Sequence, residues 1–349
     1  MENLIVPYVK ALKTEIEIYL PEERLVRSIY FGGGTPSYLS VNLLAELLNF
    51  IKERFRLSLD IEITVEINPG TIKGPELLLL KSIGFNRLSI GLQAFQDILL
   101  KSIGRIHSWV DFLNVFEAGR TAGFDNLGID IIFGLPGQNL QDWKETLERV
   151  TSLKPEHISA YGLQLEPGTK LATAVEHGLV DLPTDDEVAD MMSMAMGYLP
   201  EKGYQQYEIS NYARSGFQSV HNLSYWRSND YLGFGAGAYS TINNERWVNI
   251  DEPWNYIDAV NRNGSIIKEK EKLDFKTRAI EALMLGLRLR EGINLLEYKT
   301  EYGIDLTISP HINELLDQKL LVINGPYLAL TDTGIMLSNS VISSLLVDI

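Results

Sequence analysis

Between residues 7 and 165 the apolar positions switch between a period near 3.6 and a period of 2, the signatures of helix and strand. Tyr8, Val9, Leu12 and Ile16 share one helical face behind Pro7, a residue suited to a first turn. Residues 25–31 then read as a strand. Leu44, Leu47, Leu48, Ile51 and Phe55 recur at helical spacing over a segment that starts at Ser40 or Val41. The pair repeats: strand 61–66 and helix 75–83, strand 87–92 with helices near 96–103 and 108–122, strand 127–133 and helix 140–153, and strand 157–165. Such alternation predicts a parallel sheet with right-handed crossovers. The fold class expected is α/β, an incomplete parallel (β/α) barrel of the TIM type. A strand ordinarily precedes the helix that opens such a series, so the barrel is expected to lack its first strand.

From about Pro183 the alternation stops. A helix over 187–203 carries Val188, Met191, Met192, Met194, Ala195, Met196 and Leu199, with the methionines read as adaptable core. A strand over 207–212 comes next, followed by His221-Asn222-Leu223-Ser224-Tyr225-Trp226 and a glycine-rich run over 231–240. Helices over 275–287, 293–302 and 308–316 lead to a hairpin over 320–330, with Asn324-Gly325 at its turn, and a last helix starts at Asp332. Helices followed by a short wing suggest a winged-helix-like module. Three segments are therefore expected: a partial βα barrel over 1–180, a barrel-completing segment over 181–269, and the winged-helix-like module over 270–349.

Composition narrows the partners. The formal charge of −15 and isoelectric point near 4.9 speak against nucleic acid, because phosphate neutralisation needs a basic face. With 45% apolar residues, no stretch of membrane-spanning length and no charged-then-apolar leader, we expect a cytoplasmic, soluble chain that binds a small molecule or a protein. Cysteine is absent, which removes disulfides, thiolate nucleophiles and thiolate metal sites from these residues. None of the five histidines forms an i, i+4 pair, so a zinc site built by the protein is not expected.

The eligible chemistry falls at corresponding places in successive units. Gly33, Gly34 and Thr35 follow the first strand, Glu66 and Asn68 end the second, and Gln93 follows the third. Asp130, ahead of Gly134-Leu135-Pro136-Gly137, lies on the fourth, and Gln164 and Glu166 are expected to end the fifth. In a parallel barrel these ends share one rim, where ligands bind. A glycine turn there offers bare N–H groups to a carboxylate or phosphate. Singly, each residue also suits a plainer role: a tight βα turn, a solvated strand end or a loop acid. His221 beside Tyr225 and Trp226 suits either a flat aromatic ligand such as haem, with imidazole as an axial ligand to iron, or a histidine packed among aromatics.

Six ordered motifs then converge. Phe31-Gly32-Gly33-Gly34-Thr35-Pro36-Ser37, Glu66-Ile67-Asn68-Pro69-Gly70 and Asn86-Arg87-Leu88-Ser89-Ile90-Gly91-Leu92-Gln93 are the first three. Gly104-Arg105-Ile106-His107, Asp130-Ile131-Ile132-Phe133-Gly134-Leu135-Pro136-Gly137 and Tyr207-Glu208-Ile209-Ser210-Asn211 complete them. Together they resemble the radical S-adenosylmethionine proteins related to oxygen-independent coproporphyrinogen III oxidase, over essentially the whole chain. His221-Asn222-Leu223-Ser224-Tyr225-Trp226 resembles the HNxxYW signature of that family's haem chaperone branch, HemW. The resemblance implies that Gly33, Gly34 and Thr35 contact the methionine moiety of S-adenosylmethionine, with Glu66, Gln93, Arg105 and Asp130 as further binding positions. It implies that haem binds at His221, Asn222, Tyr225 and Trp226, with His221 ligating the metal, and that haem-accepting proteins are the partners. No catalytic residue is implied. Peripheral membrane association and homodimerisation are left open.

Two positions depart from the family pattern. Its CxxxCxxC motif, which holds a [4Fe–4S] cluster, belongs just upstream of Pro7, so we expect a chain truncated before that motif and no cluster ligands within it. Tyr239 stands where relatives commonly have histidine. Three functions follow as expectations: a haem chaperone, a coproporphyrinogen oxidase-like radical enzyme of porphyrin biosynthesis, or a binding module without a cluster. No radical chemistry is expected of this cysteine-free chain itself.

Overall fold

The structure, a computed structural model, describes residues 2–18 and 24–346. Strands β1 (Leu25–Phe31), β2 (Arg56–Ile67), β3 (Arg87–Gln93), β4 (Leu127–Phe133) and β5 (His157–Gly162) lie side by side in that order, every pair parallel. The connecting helices are α1 (Ile5–Ile18) ahead of β1, α2 (Val41–Arg54), α3 (Gly74–Ile83), α4 (Asp97–Ser102), α5 (Trp109–Thr121) and α6 (Leu140–Ser152). After α7 (Lys170–Glu176) and α8 (Asp185–Glu201), short strands β6 (Gln205–Gln206) and β7 (Asn211–Ala213) extend the sheet antiparallel beyond β5. The result is a curled half-barrel of seven strands, as the βα alternation predicted for its first five.

The parallel strands alternate in character over most of their length. Ile29, Ile63, Val65, Leu88, Ile90, Ile129 and Ile158 face the outer layer, where they pack on Leu44 and Leu48 of α2, Leu77 of α3, Phe112 of α5, Trp143 of α6 and Met191 of α8. Ser28 and Tyr30, Glu62 and Glu66, Arg87 and Ser89, Asp130, and His157 and Ser159 occupy the other parity and line the concave face. Parallel strands covered on both faces ordinarily read as continuous apolar runs. Here the alternation builds a polar interior, and its occupant is α9 (Val220–Trp226), which lies against β1.

Beyond α9, strands β8 (Tyr239–Ile242), β9 (Glu245–Asn249) and β10 (Ile267–Lys272) form an antiparallel sheet, and α10 (Pro253–Asn261) packs Tyr256 and Val260 against Leu4 and Ala11. The buried Glu15 of α1 ties this region down by accepting hydrogen bonds from Asn249 Nδ2 at 2.6 Å, Tyr256 OH at 2.6 Å and Gly235 N at 2.8 Å. A second apolar core joins α11 (Phe275–Gly286), α12 (Leu295–Tyr302), α13 (Pro310–Asp317), α14 (Asp332–Met336) and α15 (Ser338–Leu345) to a small sheet of β11 (Ile293–Asn294), β12 (Leu321–Asn324) and β13 (Tyr327–Leu330).

Three expectations are corrected. The fifth strand ends at Gly162 instead of residue 165, because its parallel partner β4 ends there, with Phe133 paired to Gly162. Gln164 and Glu166 therefore sit in the following loop. Residues 207–212 are not one strand: the chain reverses between β6 and β7, with Glu208 accepting the N–H of Ser210 at 3.2 Å. The C-terminal hairpin turns at Gly325-Pro326, since Asn324 is still paired with Tyr327.

Candidate functional site

After β1 the chain turns through Gly33 and Gly34, whose φ values of +78° and +147° lie in the region that favours glycine. This turn folds onto the end of β2. The Gly33 N–H donates to the Glu66 carboxylate, the Tyr30 hydroxyl donates to it at 2.6 Å, and a Cβ on Gly32 would stand 2.9 Å from Glu66 Oε1. Thr35 Oγ1 accepts from Asn68 Nδ2 at 3.0 Å, and Asn68 Oδ1 accepts from Arg105 Nη1 at 2.9 Å. Gln93 ends β3 with φ +74°, and the bare face of Gly91 accommodates its side chain: a Cβ there would lie 2.7 Å from Gln93 Nε2. Asp130 accepts from Ser89 Oγ at 3.0 Å. Burial raises the pKa of both Glu66 and Asp130, and the charge of Asp130 adds to the effect on Glu66. Burial lowers the pKa of Arg105 against the opposing pull of Asp130. Carboxylates, a cation and a glycine turn thus converge on one rim, a set of charges matched to an amino-acid zwitterion.

The second cluster is built on α9. Glu62 of β2 accepts from the N–H of Val220 at 3.1 Å, the N–H of His221 at 3.1 Å and Ser219 Oγ at 3.2 Å, which fixes the start of the helix. Arg87 Nε lies 3.9 Å from the same carboxylate. His221 Nδ1 is 3.2 Å from Ser28 Oγ, and its ring stacks on Tyr30 with centroids 4.6 Å apart and planes 11° from parallel. Tyr225 meets the imidazole edge-on at 4.9 Å. Burial first, then the charge of Arg87, lowers the His221 pKa to about 4, so the ring is neutral at pH 7. Asn222 and Trp226, together with Tyr225, line a cavity of about 600 Å³ with Tyr161, Glu208, Asn211 and Arg288. That volume is within the ~300 to 1,000 Å³ of small-molecule clefts.

Of the residues expected from sequence, Gly33, Gly34, Thr35, Glu66, Gln93, Arg105 and Asp130 come together at the rim. His221, Asn222, Tyr225 and Trp226 share one helix but divide between two of its sides. Tyr239 is largely exposed on β8. Sequence reasoning missed Tyr30, which joins the two clusters by bonding to Glu66 and stacking on His221. It also missed Glu62, which anchors α9, and His107, whose Nε2 bonds to the Leu92 carbonyl at 3.1 Å and holds the loop bearing Arg105. The period-2 alternation of β1 and β2 carried the signal for Tyr30 and Glu62. Every polar residue of that parity points into the half-barrel.

Residues 6–150 match the Radical SAM superfamily and residues 273–337 the HemN C-terminal domain. The haem chaperone HemW of Bacillus subtilis is 36% identical over 324 residues, covering 92% of this chain and 86% of that protein. HemW of Lactococcus lactis is 36% identical over 343 residues, covering 98% and 89%. Among solved structures, coproporphyrinogen III oxidase (HemN) from Escherichia coli, described as a radical SAM enzyme, superposes with a TM-score of 0.83 at 23% identity, over 98% of this chain and 83% of that one. At that identity the likeness shows a shared fold.

Proposed function

The chain belongs to the haem chaperone HemW family within the radical S-adenosylmethionine superfamily, and from that premise we propose that it binds haem and passes it to acceptor proteins. The observation that carries the reading is the state of His221. Its imidazole is buried, neutral at pH 7 and therefore has a lone pair to offer iron, and it stands on the short helix whose Asn222, Tyr225 and Trp226 line the cavity. The rings of Tyr225 and Trp226 give a macrocycle flat apolar faces. Haem carries two propionates, so a chain at −15 must hold it by local contacts and not by long-range attraction.

S-adenosylmethionine is proposed for the rim. Gly33, Gly34 and Thr35 would meet its amino and carboxylate groups, Arg105 the carboxylate, and Glu66, Gln93 and Asp130 the remaining polar atoms. That superfamily's cofactor supplies radical chemistry when a reduced iron–sulfur cluster accompanies it. The 349 residues contain no cysteine, so they do not fit a thiolate-held cluster, and the radical-enzyme reading gains no support from them. Binding at the rim without the cluster's iron is expected to be weak. The same reading has haem transfer in the cytoplasm. No helix among the described residues is long and apolar enough to cross a membrane.

Titration of the full chain with haem, followed at the Soret band, tests the proposal. His221→Ala should shift the band and weaken binding by at least ~10-fold, or ~1.4 kcal/mol. An unaltered spectrum and affinity in folded protein would make His221 a packing residue and remove the support.

A further inference from the structure

Opposite the concave face, the cavity wall holds polar atoms that no protein group satisfies. Trp226 Nε1 is buried without a hydrogen-bond partner among the described residues, and so are Glu208 Oε1 and Asn211 Oδ1, on side chains only 1% and 3% exposed. All three residues line the same space. Buried polar groups are ordinarily paired, so orphans gathered around one cavity point to what fills it. Above the Trp226 ring, 5.6 Å from its centroid, stands the guanidinium of Arg288. Arg288 has no carboxylate within 4 Å among the described residues, although its charge acts on Glu208 of the same wall.

Arg288 is not a loose surface cation. It lies in the turn after α11, and its neighbours tie that turn to the half-barrel: Leu289 bridges Glu208, and the Arg290 N–H donates to the Tyr207 carbonyl at 3.0 Å. The C-terminal helical region thereby places one cation at the wall of a cavity otherwise made by β4, β5 and α9.

We propose that Arg288 and the indole N–H of Trp226 form a clamp for a carboxylate of the ligand, and that this clamp sets the orientation of haem by seizing its propionate edge. The proposal rests on the haem reading above and names what holds the end of the molecule remote from iron. A guanidinium fork and an indole N–H on one cavity wall can each donate to an oxygen of a carboxylate, and the position of Arg288 over the Trp226 ring preorganises the guanidinium. Burial raises the pKa of Glu208, while hydrogen bonds from Ser210 and Asn211 and the charge of Arg288 pull it back down, so the carboxyl is itself held by the cation. Asn211 Oδ1 is left to water, for which the cavity has room.

The test compares haem with its dimethyl ester, which keeps the iron and the macrocycle but blocks both carboxylates. Wild-type full chain should prefer haem by about 10-fold, the scale of one charge-assisted contact. Arg288→Met should abolish the preference while leaving the Soret position, which reports iron ligation, unchanged. Trp226→Phe keeps the ring under Arg288 but removes the N–H, and should lose part of the preference. Arg288→Lys keeps the charge without the fork and should fall between, which also serves if the methionine variant folds poorly. Equal affinity of wild type for both compounds, or a preference that survives Arg288→Met, overturns the clamp even if His221→Ala still weakens haem. Failure of wild type to bind haem overturns both readings.

Discussion

Gly33, Glu66, Asn68, Arg105 and Asp130 come from four segments spread over residues 33–130, yet they meet at one rim. His221, Asn222, Tyr225 and Trp226 fall within six consecutive positions, yet α9 turns the histidine toward Ser28 and Tyr30 and the other three toward a cavity. Parallel register explains the first outcome, since equivalent strand ends are brought to the same edge whatever their separation in sequence. Helical rotation of about 100° per residue turns Asn222 and Trp226 away from His221, while Tyr225, one turn on, touches both the imidazole and the cavity. Proximity in sequence is thus a poor guide to a shared site, while equivalent position in a repeated unit is a good one. Tyr30 is the hinge between the two, with its hydroxyl on the rim and its ring against His221.

The comparison breaks most directly at Glu62, which anchors α9 but touches nothing at the rim. Glu62→Ala leaves three donors and the buried Arg87 without their carboxylate, and should cost about 3 to 5 kcal/mol in denaturant unfolding. Haem binding should collapse with it, whereas loss of rim binding in equal measure would mean that the two clusters are one unit. The next largest effect is in pH dependence. His221 has a folded pKa of about 4 against about 6.5 unfolded, so between those values the unfolded chain binds the extra proton. Stability should therefore be full above pH 6.5 and fall as pH drops toward 4, by on the order of 3 kcal/mol from this group. Glu66 and Asp130 have raised pKa values and slope the other way, so the measurement is the difference between wild type and His221→Gln unfolding curves across that window. A difference curve flat in pH would show that α9 does not bury its histidine. The smallest effect belongs to the rim. Gly91→Ala pushes Gln93 against Asn68 and should cost about 1 to 3 kcal/mol. By calorimetry it should weaken S-adenosylmethionine binding while leaving haem affinity within about 2-fold.

How much was legible in sequence follows the same division. The parallel strands and their helices were readable because each carries a clean period, and the rim residues because they recur at equivalent strand ends. Residues 207–212 were misread as a strand because their apolar alternation is real, but Glu208 folds back on the Ser210 N–H and breaks the run. The end of β5 was misplaced because strand length is set by its partner β4, which stops at Phe133 opposite Gly162, and not by a local mark in residues 157–165. The sheet of β8, β9 and β10 was not anticipated at all, its pairing being long-range and its last strand, Ile267–Lys272, almost wholly charged. Arg288 was invisible for a related reason: only the Glu208–Leu289 bridge brings it to the cavity.

Chemical rescue at His221 addresses the central claim most directly. In His221→Gly the imidazole is removed and a space is left for a small ligand, with Tyr30 and Tyr225 still flanking it. If His221 ligates iron, the variant should bind haem with a displaced Soret band, and added imidazole should return the band to its wild-type position and recover most of the affinity. If haem binds His221→Gly with the wild-type spectrum, or if imidazole restores stability but not the spectrum, the histidine only fills space and iron is held elsewhere.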